Sequence, residues 1–464
     1  MPSSTTFVRK SLMRLSWPLL VVTVVTLLAA LVNVVLLSAA SPELNAAVAT
    51  ANQILGILYD ISVLFSIGAL VVIAQYLGAR RFGSAQRTTI IALRASTLLG
   101  VGIAVFVAVG GAPIVAAINT PAEIADDANA YLWIVAAGMA FNAYIVAASA
   151  VLRAYGRTVA LLVLGIVVNL LDVVLLSVFL LVLELGVVGA ALPTLLVRGV
   201  GMLLLAWMVR RRTGVGMFSK LPEKTAPQKG AATMARLSVP TVIENGVFNL
   251  SIVFVLAWIN LLGTDAINAR SYTLTLTALV TGVILALAQG NETVVGWDVG
   301  DNARDHARRL TLRTAAWTAG ASAVLTLALW LSADYALAIF GANEAVVAMV
   351  RDVLLVSAVL LPLSAVSSVV FGALRSAGDV VMPMVYSIVA SVAVLVPVSW
   401  LLIEVAGLGL VGAFWGLVVA EAVKAGLLTG RWVRGTWMRQ PTVAEGADDV
   451  LGESEDVEVP VVAD

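Results

Sequence analysis

Apolar runs long enough to cross a lipid bilayer recur along this 464-residue chain. A helix needs about 20 apolar residues to span about 30 Å of hydrocarbon, and such a run satisfies its own backbone polar groups only when it is helical. Twelve runs meet this condition, at about residues 15–40, 46–75, 89–112, 129–152, 159–183, 187–209, 237–262, 266–297, 312–333, 347–373, 380–403 and 409–431. With 61% hydrophobic and 12% charged residues, the composition is that of a polytopic membrane protein. The sequence therefore predicts an all-α fold of twelve transmembrane helices, with a tilt or break in the overlong second and eighth runs.

The distribution of basic residues predicts the orientation of these helices. Lysine and arginine in short connections mark the cytoplasmic side, and they follow the even-numbered runs, as at Arg80, Arg81, Arg153, Arg210, Arg211, Arg212, Arg304, Arg375 and Arg434. The odd-numbered runs end near acidic or neutral residues, such as Glu43, Glu123, Glu184, Asp265, Asp334 and Glu404. Arg9, Lys10 and Arg14 precede the first run, without a cleavage motif, and indicate a retained cytoplasmic start. We expect a multi-pass protein of the cell (plasma) membrane with both termini in the cytoplasm.

The first six runs are repeated in the second six. Leu15-Ser16-Trp17-Pro18 matches Leu237-Ser238-Val239-Pro240, so that the two prolines stand 222 residues apart. Leu185-Gly186-Val187-Val188-Gly189-Ala190 matches Leu408-Gly409-Leu410-Val411-Gly412-Ala413 at an offset of 223. Because each copy holds six spans, both copies run the same way and should relate by a pseudo-two-fold axis along the membrane normal, with a cleft between two six-helix lobes.

The repeat also predicts domain boundaries. We expect an N-lobe at residues 1–212, a cytoplasmic linker at 213–236, a C-lobe at 237–440 and an acidic, disordered tail at 441–464. The tail carries eight acidic side chains and no basic residue, a composition that cannot bury a core.

Charged residues inside the apolar runs are the first candidates for function, since burying a charge in hydrocarbon costs several kcal/mol. Glu244 lies in the seventh run, and Asp60, Asp172 and Arg198 lie near the middle of the second, fifth and sixth runs. We expect Glu244 to face protein or a wet cavity, either as a cation site or as a carboxyl bonded to a neighbouring helix. We expect Arg198 to pair with Asp172 or Asp60.

Glu421 occupies the position in the second copy that matches Arg198. Its structural interpretation is a contact with Lys424, three residues further on.

Polar side chains in several runs indicate a substrate surface. Those of the first, second, seventh and eighth runs that we assign to substrate binding are Asn33, Asn52, Tyr59, Asn245, Asn249, Tyr272, Thr275 and Gln289. The alternative is that small and polar residues make close contacts between helices; we favour a wet central cavity because the stripes recur in both copies.

The residue inventory limits the chemistry. The chain has no cysteine and a single histidine, His306, which we read as a solvated residue of a charged connection. Thiolate chemistry, histidine triads and histidine metal clusters are therefore excluded. We expect no catalytic residue, no bound metal and no cofactor. An intramembrane enzyme would need an aspartyl dyad of Asp60 and Asp172, which nothing in their spacing supports.

The repeat and its motifs resemble those of the multidrug and toxic compound extrusion (MATE) family. The resemblance rests on the proline-led first and seventh runs, on Ala74-Gln75-Tyr76-Leu77-Gly78-Ala79, on Leu152-Arg153-Ala154-Tyr155-Gly156-Arg157 and on Gly186-Val187-Val188-Gly189-Ala190-Ala191, over about residues 10–435. It implies a cation-coupled antiporter, driven by H⁺ or Na⁺, that expels organic and often cationic or amphiphilic compounds by alternating access.

The resemblance carries over to individual residues only in part. Asn33 stands where many members have an aspartate in the first helix, whereas Glu244 matches the acid of the seventh helix. Asn169 and Asp172 resemble the family's Asn and Asp of the fifth helix, although they are three rather than four residues apart. We therefore assign Glu244, Asp60, Asp172, Asn169 and Arg198 to cation coupling.

The partners expected are a small organic substrate and membrane lipid. Nucleic acid is not expected, because membrane orientation explains the basic connections, and the chain should act as a monomer. The alternative within transport is a flippase for a lipid-linked glycan, a function of larger relatives; it would need several basic residues to hold a pyrophosphate, and the candidates are Arg198 and Arg270.

Overall fold

A computed structural model describes residues 9–117, 121–221, 230–339 and 343–439. The acidic tail at 441–464 and the middle part of the predicted linker, at 222–229, lie outside these residues. Within the described ranges the chain is helical and contains no strand. Eleven helices are long and apolar enough to cross a membrane, or twelve when one bent pair counts as a single span. The predicted all-α architecture of twelve transmembrane helices is thus confirmed.

We number these spans α1 to α12. They are α1 (Leu12–Ala40), α2 (Pro42–Ser62 and Leu64–Gly78), α3 (Phe82–Ala117), α4 (Ala122–Ala137 and Met139–Ala154), α5 (Thr158–Ser177 with a π-helical end, Val178–Val182), α6 (Gly186–Thr213), α7 (Gly230–Leu261), α8 (Thr264–Gly300), α9 (Arg304–Leu331), α10 (Glu344–Ser376), α11 (Val381–Val405, with two π-helical stretches) and α12 (Gly409–Arg434). A short helix, Ala333–Ile339, precedes α10, and a 3₁₀ turn, Thr436–Arg439, follows α12.

The structure refines the predicted boundaries and breaks. Helix α2 is interrupted at Val63, where the hydroxyls of Ser62 and Ser66 bond nearby carbonyls, whereas the equally long α8 is continuous. Helix α4 bends by 48° at Gly138. Helix α7 already begins at Gly230, inside the predicted linker. The charged stretch around His306 forms the first turns of α9 and is not a connection, because exposed polar residues are compatible with a helix that extends beyond the apolar region.

The described residues fall into two compact units, one centred on each copy of the repeat. Unit 1 contains Trp17–Val239 together with the residues before Ser11, and unit 2 contains Ser11–Ser16 together with the chain from Pro240. Each proline-led helix is therefore divided: the first turns of α1 are assigned to unit 2, and the first turns of α7 to unit 1. The division falls at equivalent places in the two copies.

Glycines at equivalent positions of α2 and α8 let the first turns of α7 and α1 pack closely against them. In unit 1, a Cβ on Gly68 of α2 would lie 2.2 Å from the carbonyl oxygen of Met234 in α7, and the Gly68 amide donates to Ser238 Oγ at 2.8 Å. In unit 2, a Cβ on Gly290 of α8 would lie 2.1 Å from Ser16 Oγ in α1. Both glycine positions and both serines are 222 residues apart. Close backbone approach through small residues is the usual means of helix association in lipid.

The second repeated motif also produces one contact in each copy. A Cβ on Gly189 of α6 would lie 2.7 Å from the carbonyl oxygen of Phe179, in the π-helical end of α5. A Cβ on Gly412 of α12 would lie 2.9 Å from the carbonyl of Leu402, in the π-helical end of α11. The glycines thus let α6 and α12 pack closely on the preceding helix. The duplicated sequence encodes duplicated backbone geometry at this point.

Candidate functional site

The buried carboxylate of α7 has a partner that the sequence did not reveal. Glu244 is 8% exposed, and Lys424 Nζ of α12 donates to its Oε1 at 3.3 Å. The same ammonium lies 3.9 Å from Oε1 of Glu421, one turn earlier on α12. We call these three residues the Glu244–Lys424–Glu421 cluster; all belong to unit 2.

Helix geometry explains how this cluster forms. Glu421 and Lys424 are three residues apart and therefore lie on the same face of α12, as the sequence predicted for this pair. Glu244 reaches the same point from α7, one turn after Pro240. Lys424 Nζ also lies 5.9 Å from the ring centroid of Phe371 in α10, where a cation gains from the ring quadrupole.

The charges of the cluster do not balance. Two carboxylates share one ammonium, so the formal charge is −1 when all three groups are ionised. Oε2 of Glu421 is buried and has no hydrogen-bond partner among the described residues. The cluster therefore offers an acceptor atom and a formal negative charge to a further cation.

A second buried ion pair lies close to Phe371. Arg375 Nε donates to Glu292 Oε1 at 2.8 Å, and the guanidinium lies 5.7 Å from the Phe371 centroid. Glu292 is 3% exposed, and its backbone carbonyl accepts from Ser376 Oγ at 2.7 Å. Glu292 was not among the predicted site residues, although a carboxylate inside the eighth apolar run was the available signal.

In unit 1, Asp172 of α5 is bonded to an amide. Asn33 Nδ2 of α1 donates to Asp172 Oδ2 at 2.8 Å. One turn away, Asn169 Nδ2 donates to Thr26 Oγ1 at 3.2 Å and to the carbonyl oxygen of Gly165 at 2.8 Å. The structure therefore brings the predicted residues Asn33, Asp172 and Asn169 onto one contact surface between α1 and α5.

The expected salt bridge of Arg198 takes a different form. Arg198 Nη2 of α6 donates to the hydroxyl of Tyr59 in α2 at 2.5 Å, and the guanidinium lies 4.9 Å from the centroid of the same ring. Asp172 remains within electrostatic range of Arg198 but takes its hydrogen bond from Asn33. An aromatic hydroxyl and ring thus take the place of the expected carboxylate as the hydrogen-bond partner. Arg198 Nη1 is buried without a hydrogen-bond partner among the described residues.

Tyr131 of α4 joins this group in unit 1. Its hydroxyl bonds Asn52 and Thr194, and it lies near both Tyr59 and Arg198. Tyr131 thus links Asn52 and Tyr59, two of the residues assigned to substrate binding. Tyr131 itself was missed because an aromatic residue in an apolar run carries no distinct signal. Asp60, the residue after Tyr59, is partly buried.

The remaining predicted substrate residues lie in unit 2. Asn245 and Gln289 are partly buried, and Tyr272 packs against the apolar core formed by α7, α8, α10 and α12. Asn249 and Thr275 are exposed, and the Thr275 hydroxyl bonds the carbonyl of Ser271 on its own helix at 3.0 Å.

The single histidine has a definite contact. His306 Nδ1 lies 2.7 Å from Oδ2 of the buried Asp298, although its own side chain is 60% exposed. Across the part of the chain that the structure describes, no group of three acidic, histidine or cysteine residues is arranged to hold a metal ion.

The membrane-spanning helices form two repeated sets, and ion pairs lie buried among them. These features are those of a multi-pass membrane protein of the transporter class. The MatE family model matches residues 18–178 and 240–401, one match in each copy of the repeat. The chain belongs to the multidrug and toxic compound extrusion (MATE) family; it is a transporter and not an enzyme.

Similar proteins are known from bacteria and archaea. The uncharacterized transporter YisQ of Bacillus subtilis is 23% identical over 95% of this chain and 96% of its own length. The probable multidrug resistance protein NorM of Thermotoga maritima is 23% identical over 94% and 96%. A solved structure of a MOP superfamily transporter from Pyrococcus furiosus shares the fold, with a TM-score of 0.84 at 20% identity over 92% of this chain and 96% of that one.

Proposed function

We propose that this transporter exports organic, often cationic or amphiphilic, compounds in exchange for H⁺ or Na⁺. The observation that carries the proposal is the buried carboxylate of Glu244, which shares the ammonium of Lys424 with Glu421. The multidrug resistance proteins named among the relatives support the class of substrate.

The cluster supplies a physical reason for exchange. A carboxylate without a counter-ion is costly in a low-dielectric interior, so Glu244 needs a cation at every stage of the cycle. Lys424 provides that cation when the site is unloaded. A coupling ion or a cationic substrate that binds Glu244 displaces the ammonium towards Glu421, and the return of the ammonium releases the bound cation.

In this mechanism Lys424 is a tethered competitor for the cation site. The charge at Glu244 is always compensated, while its partner alternates between the lysine, the coupling ion and the substrate. Such competition opposes the binding of the coupling ion and the substrate to Glu244 at the same time. Antiport requires this, because the two must bind in turn. Alternating access of the two units would then expose the site to each side of the membrane in turn.

Unit 1 supplies a second polar region in this proposal. Asp172 with Asn33, together with Asp60, remains a candidate for cation coupling, as do Asn169 and Arg198. The polar side chains of α2, α7 and α8 contact the substrate.

The available driving force is adequate. Movement of one charge contributes about 2.3 kcal/mol per 100 mV, and a proton contributes about 1.4 kcal/mol for each pH unit. For an uncharged substrate exchanged for one proton, these terms together exceed the roughly 2.8 kcal/mol needed for a hundredfold concentration gradient. For a monovalent cation exchanged for one proton the charge terms cancel, and a gradient of about two pH units supplies the same free energy. We also propose that the protein acts as a monomer in the cell membrane with both termini in the cytoplasm, following the distribution of lysine and arginine.

The experiment is transport of cationic dyes into or out of reconstituted vesicles, with sodium and pH gradients imposed separately. We expect Glu244→Gln to abolish ion-coupled transport while the protein remains folded. Glu404→Gln is the matched control, because Glu404 is an exposed carboxylate at the end of α11 in the same unit. Wild-type transport by Glu244→Gln would contradict the assignment, and the gradient that drives the wild type identifies the ion.

One observation favours the second candidate, a lipid-linked glycan flippase. The buried Nη1 of Arg198 has no hydrogen-bond partner among the described residues and is suited to a phosphate oxygen. Translocation of a lipid-linked donor without any transport of cationic dyes would support this function over the first.

A further inference from the structure

A cavity of about 290 Å³ lies where α5 begins and α6 ends, in unit 1. Four cationic side chains line it: Lys10, Arg157, Arg211 and Arg212. We call it the basic cavity. No carboxylate is among the described residues of its lining, so its electrostatic potential favours an anion.

The cations are crowded rather than dispersed. Burial lowers the pKa of Arg157, and the nearby charge of Arg212 lowers it further. Arg211 is held in place because its guanidinium stacks 5.2 Å from the ring centroid of Trp207. Like charges that converge in this way gain from an anion between them, and a phosphate can accept several guanidinium hydrogen bonds at once.

The wall of the basic cavity is apolar on the side of the membrane span. Trp207 and Val163 both line it and are 55% and 51% exposed. Val163 follows Arg157 by six residues and is therefore about 9 Å further along α5. The cavity thus runs from charged side chains to apolar ones in the direction of the bilayer interior, which is the order of groups in a phospholipid.

We propose that the basic cavity binds an anionic phospholipid, with the phosphodiester headgroup among Lys10, Arg157, Arg211 and Arg212 and an acyl chain along Val163 and Trp207. The cationic residues of this region also fit the orientation rule for cytoplasmic connections. The two explanations differ in one respect: orientation depends on the number of charges, whereas lipid binding depends on which charges line the cavity.

The test is binding of fluorescent phosphatidylglycerol to the purified full chain in neutral detergent, with zwitterionic phosphatidylcholine as the reference lipid of zero net charge. We expect the triple variant Arg157→Gln, Arg211→Gln and Arg212→Gln to bind phosphatidylglycerol about a hundredfold more weakly, since each cation near a lipid surface contributes about 1 kcal/mol. The matched control carries Arg210→Gln, Lys220→Gln and Arg434→Gln, three exposed cations outside the cavity. It should bind like the wild type.

Equal loss in the triple variant and the control would overturn the proposal, because it would show a non-specific charge effect. Unchanged binding by the triple variant would overturn it as well. Inorganic phosphate should not displace the lipid at comparable concentration; displacement would show a site for free phosphate instead. Should the triple variant not fold, Arg211→Gln alone gives the same test with an expected loss of about fivefold.

Discussion

Replacement of Lys424 by methionine tests the central feature of the proposed transport site, the Glu244–Lys424–Glu421 cluster. The ammonium lies 3.3 Å from Glu244 and 3.9 Å from Glu421. At an effective dielectric constant of about 20, these separations correspond to gross attractions of about 5 and about 4 kcal/mol. Desolvation of the three groups offsets much of this attraction. Removal of one partner of a buried pair nevertheless costs about 3–5 kcal/mol, because the remaining charge stays buried and uncompensated.

We therefore expect Lys424→Met to lower the free energy of unfolding by about 3–5 kcal/mol. Methionine keeps a long, unbranched side chain, so the loss reports on charge rather than on volume. The measurement is denaturant unfolding in mixed micelles. Lys220→Met is the control, since Lys220 is exposed, and its effect should be within about 0.5 kcal/mol.

A rescue experiment separates charge from packing. Addition of Glu244→Gln and Glu421→Gln to Lys424→Met removes the uncompensated carboxylates, and most of the lost stability should return. If Lys424→Met is as stable as the wild type, or if the two glutamines add further destabilisation, the three side chains do not act as an ion cluster and the reasoning fails.

The same variant tests the role of Lys424 as a competitor in transport. Without the tethered ammonium, Glu244 should hold a cationic dye more tightly, by roughly tenfold or more for a competition of about 1.4 kcal/mol. Turnover in vesicles should fall, since bound cation is no longer displaced. Unchanged dye affinity and turnover would mean that Lys424 is structural only.

Two further predictions concern packing and hydrogen bonding. Gly412→Ala should destabilise the protein by about 1–3 kcal/mol, because its Cβ meets the Leu402 carbonyl; Gly426→Ala, which meets nothing within 4 Å on the same helix, should be neutral or stabilising in the same unfolding assay. Asn33→Asp should lower stability by about 1–3 kcal/mol, because the donor to Asp172 is lost and a like charge replaces it. Addition of Asp172→Asn should restore the hydrogen bond with its roles exchanged; no recovery would contradict the pairing.

The spans and the repeat could be predicted because both follow from local sequence. Long apolar runs admit only helices in lipid, and matching motifs at nearly one offset require a duplication. The start of α7 at Gly230 was missed because Gly230–Arg236, apart from Met234, are polar or small and extend the helix beyond its apolar run. The division of α1 and α7 between the two units could not be predicted either, because the assignment of a helix turn to a unit depends on tertiary contacts.

The sequence predicted individual residues of the candidate site but not the contact between α7 and α12 that joins them. Glu244 stood out because an acid inside an apolar run is rare, and Glu421 was paired with Lys424 through helical spacing. The link between Lys424 and Glu244 joins residues 180 positions apart, and no local pattern encodes it. Arg198 was expected to pair with Asp172 or Asp60, whereas its hydrogen-bond partner is the hydroxyl of Tyr59, a contact that depends on how α2 and α6 pack and not on charge.

The two copies of the repeat share the same close backbone contacts at glycines but differ in their charged side chains. Gly68 with Gly290, and Gly189 with Gly412, make equivalent close approaches in units 1 and 2. Arg198 of unit 1 is nonetheless matched in unit 2 by Glu421, a residue of opposite sign. Duplication therefore preserved the packing that positions each helix, while the side chains were free to diverge.

This divergence determines where we place the coupling step. In unit 1, the carboxylate of Asp172 is satisfied by the neutral amide of Asn33, so no cation need leave before another arrives. In unit 2, Glu244 and Glu421 compete for one ammonium, and a second cation can enter only by displacing the first or by using the unpartnered oxygen of Glu421. Under the proposed mechanism, exchange of cations depends on the two carboxylates that share one ammonium in unit 2, and the Lys424 variants therefore test the proposal more directly than those of Asn33.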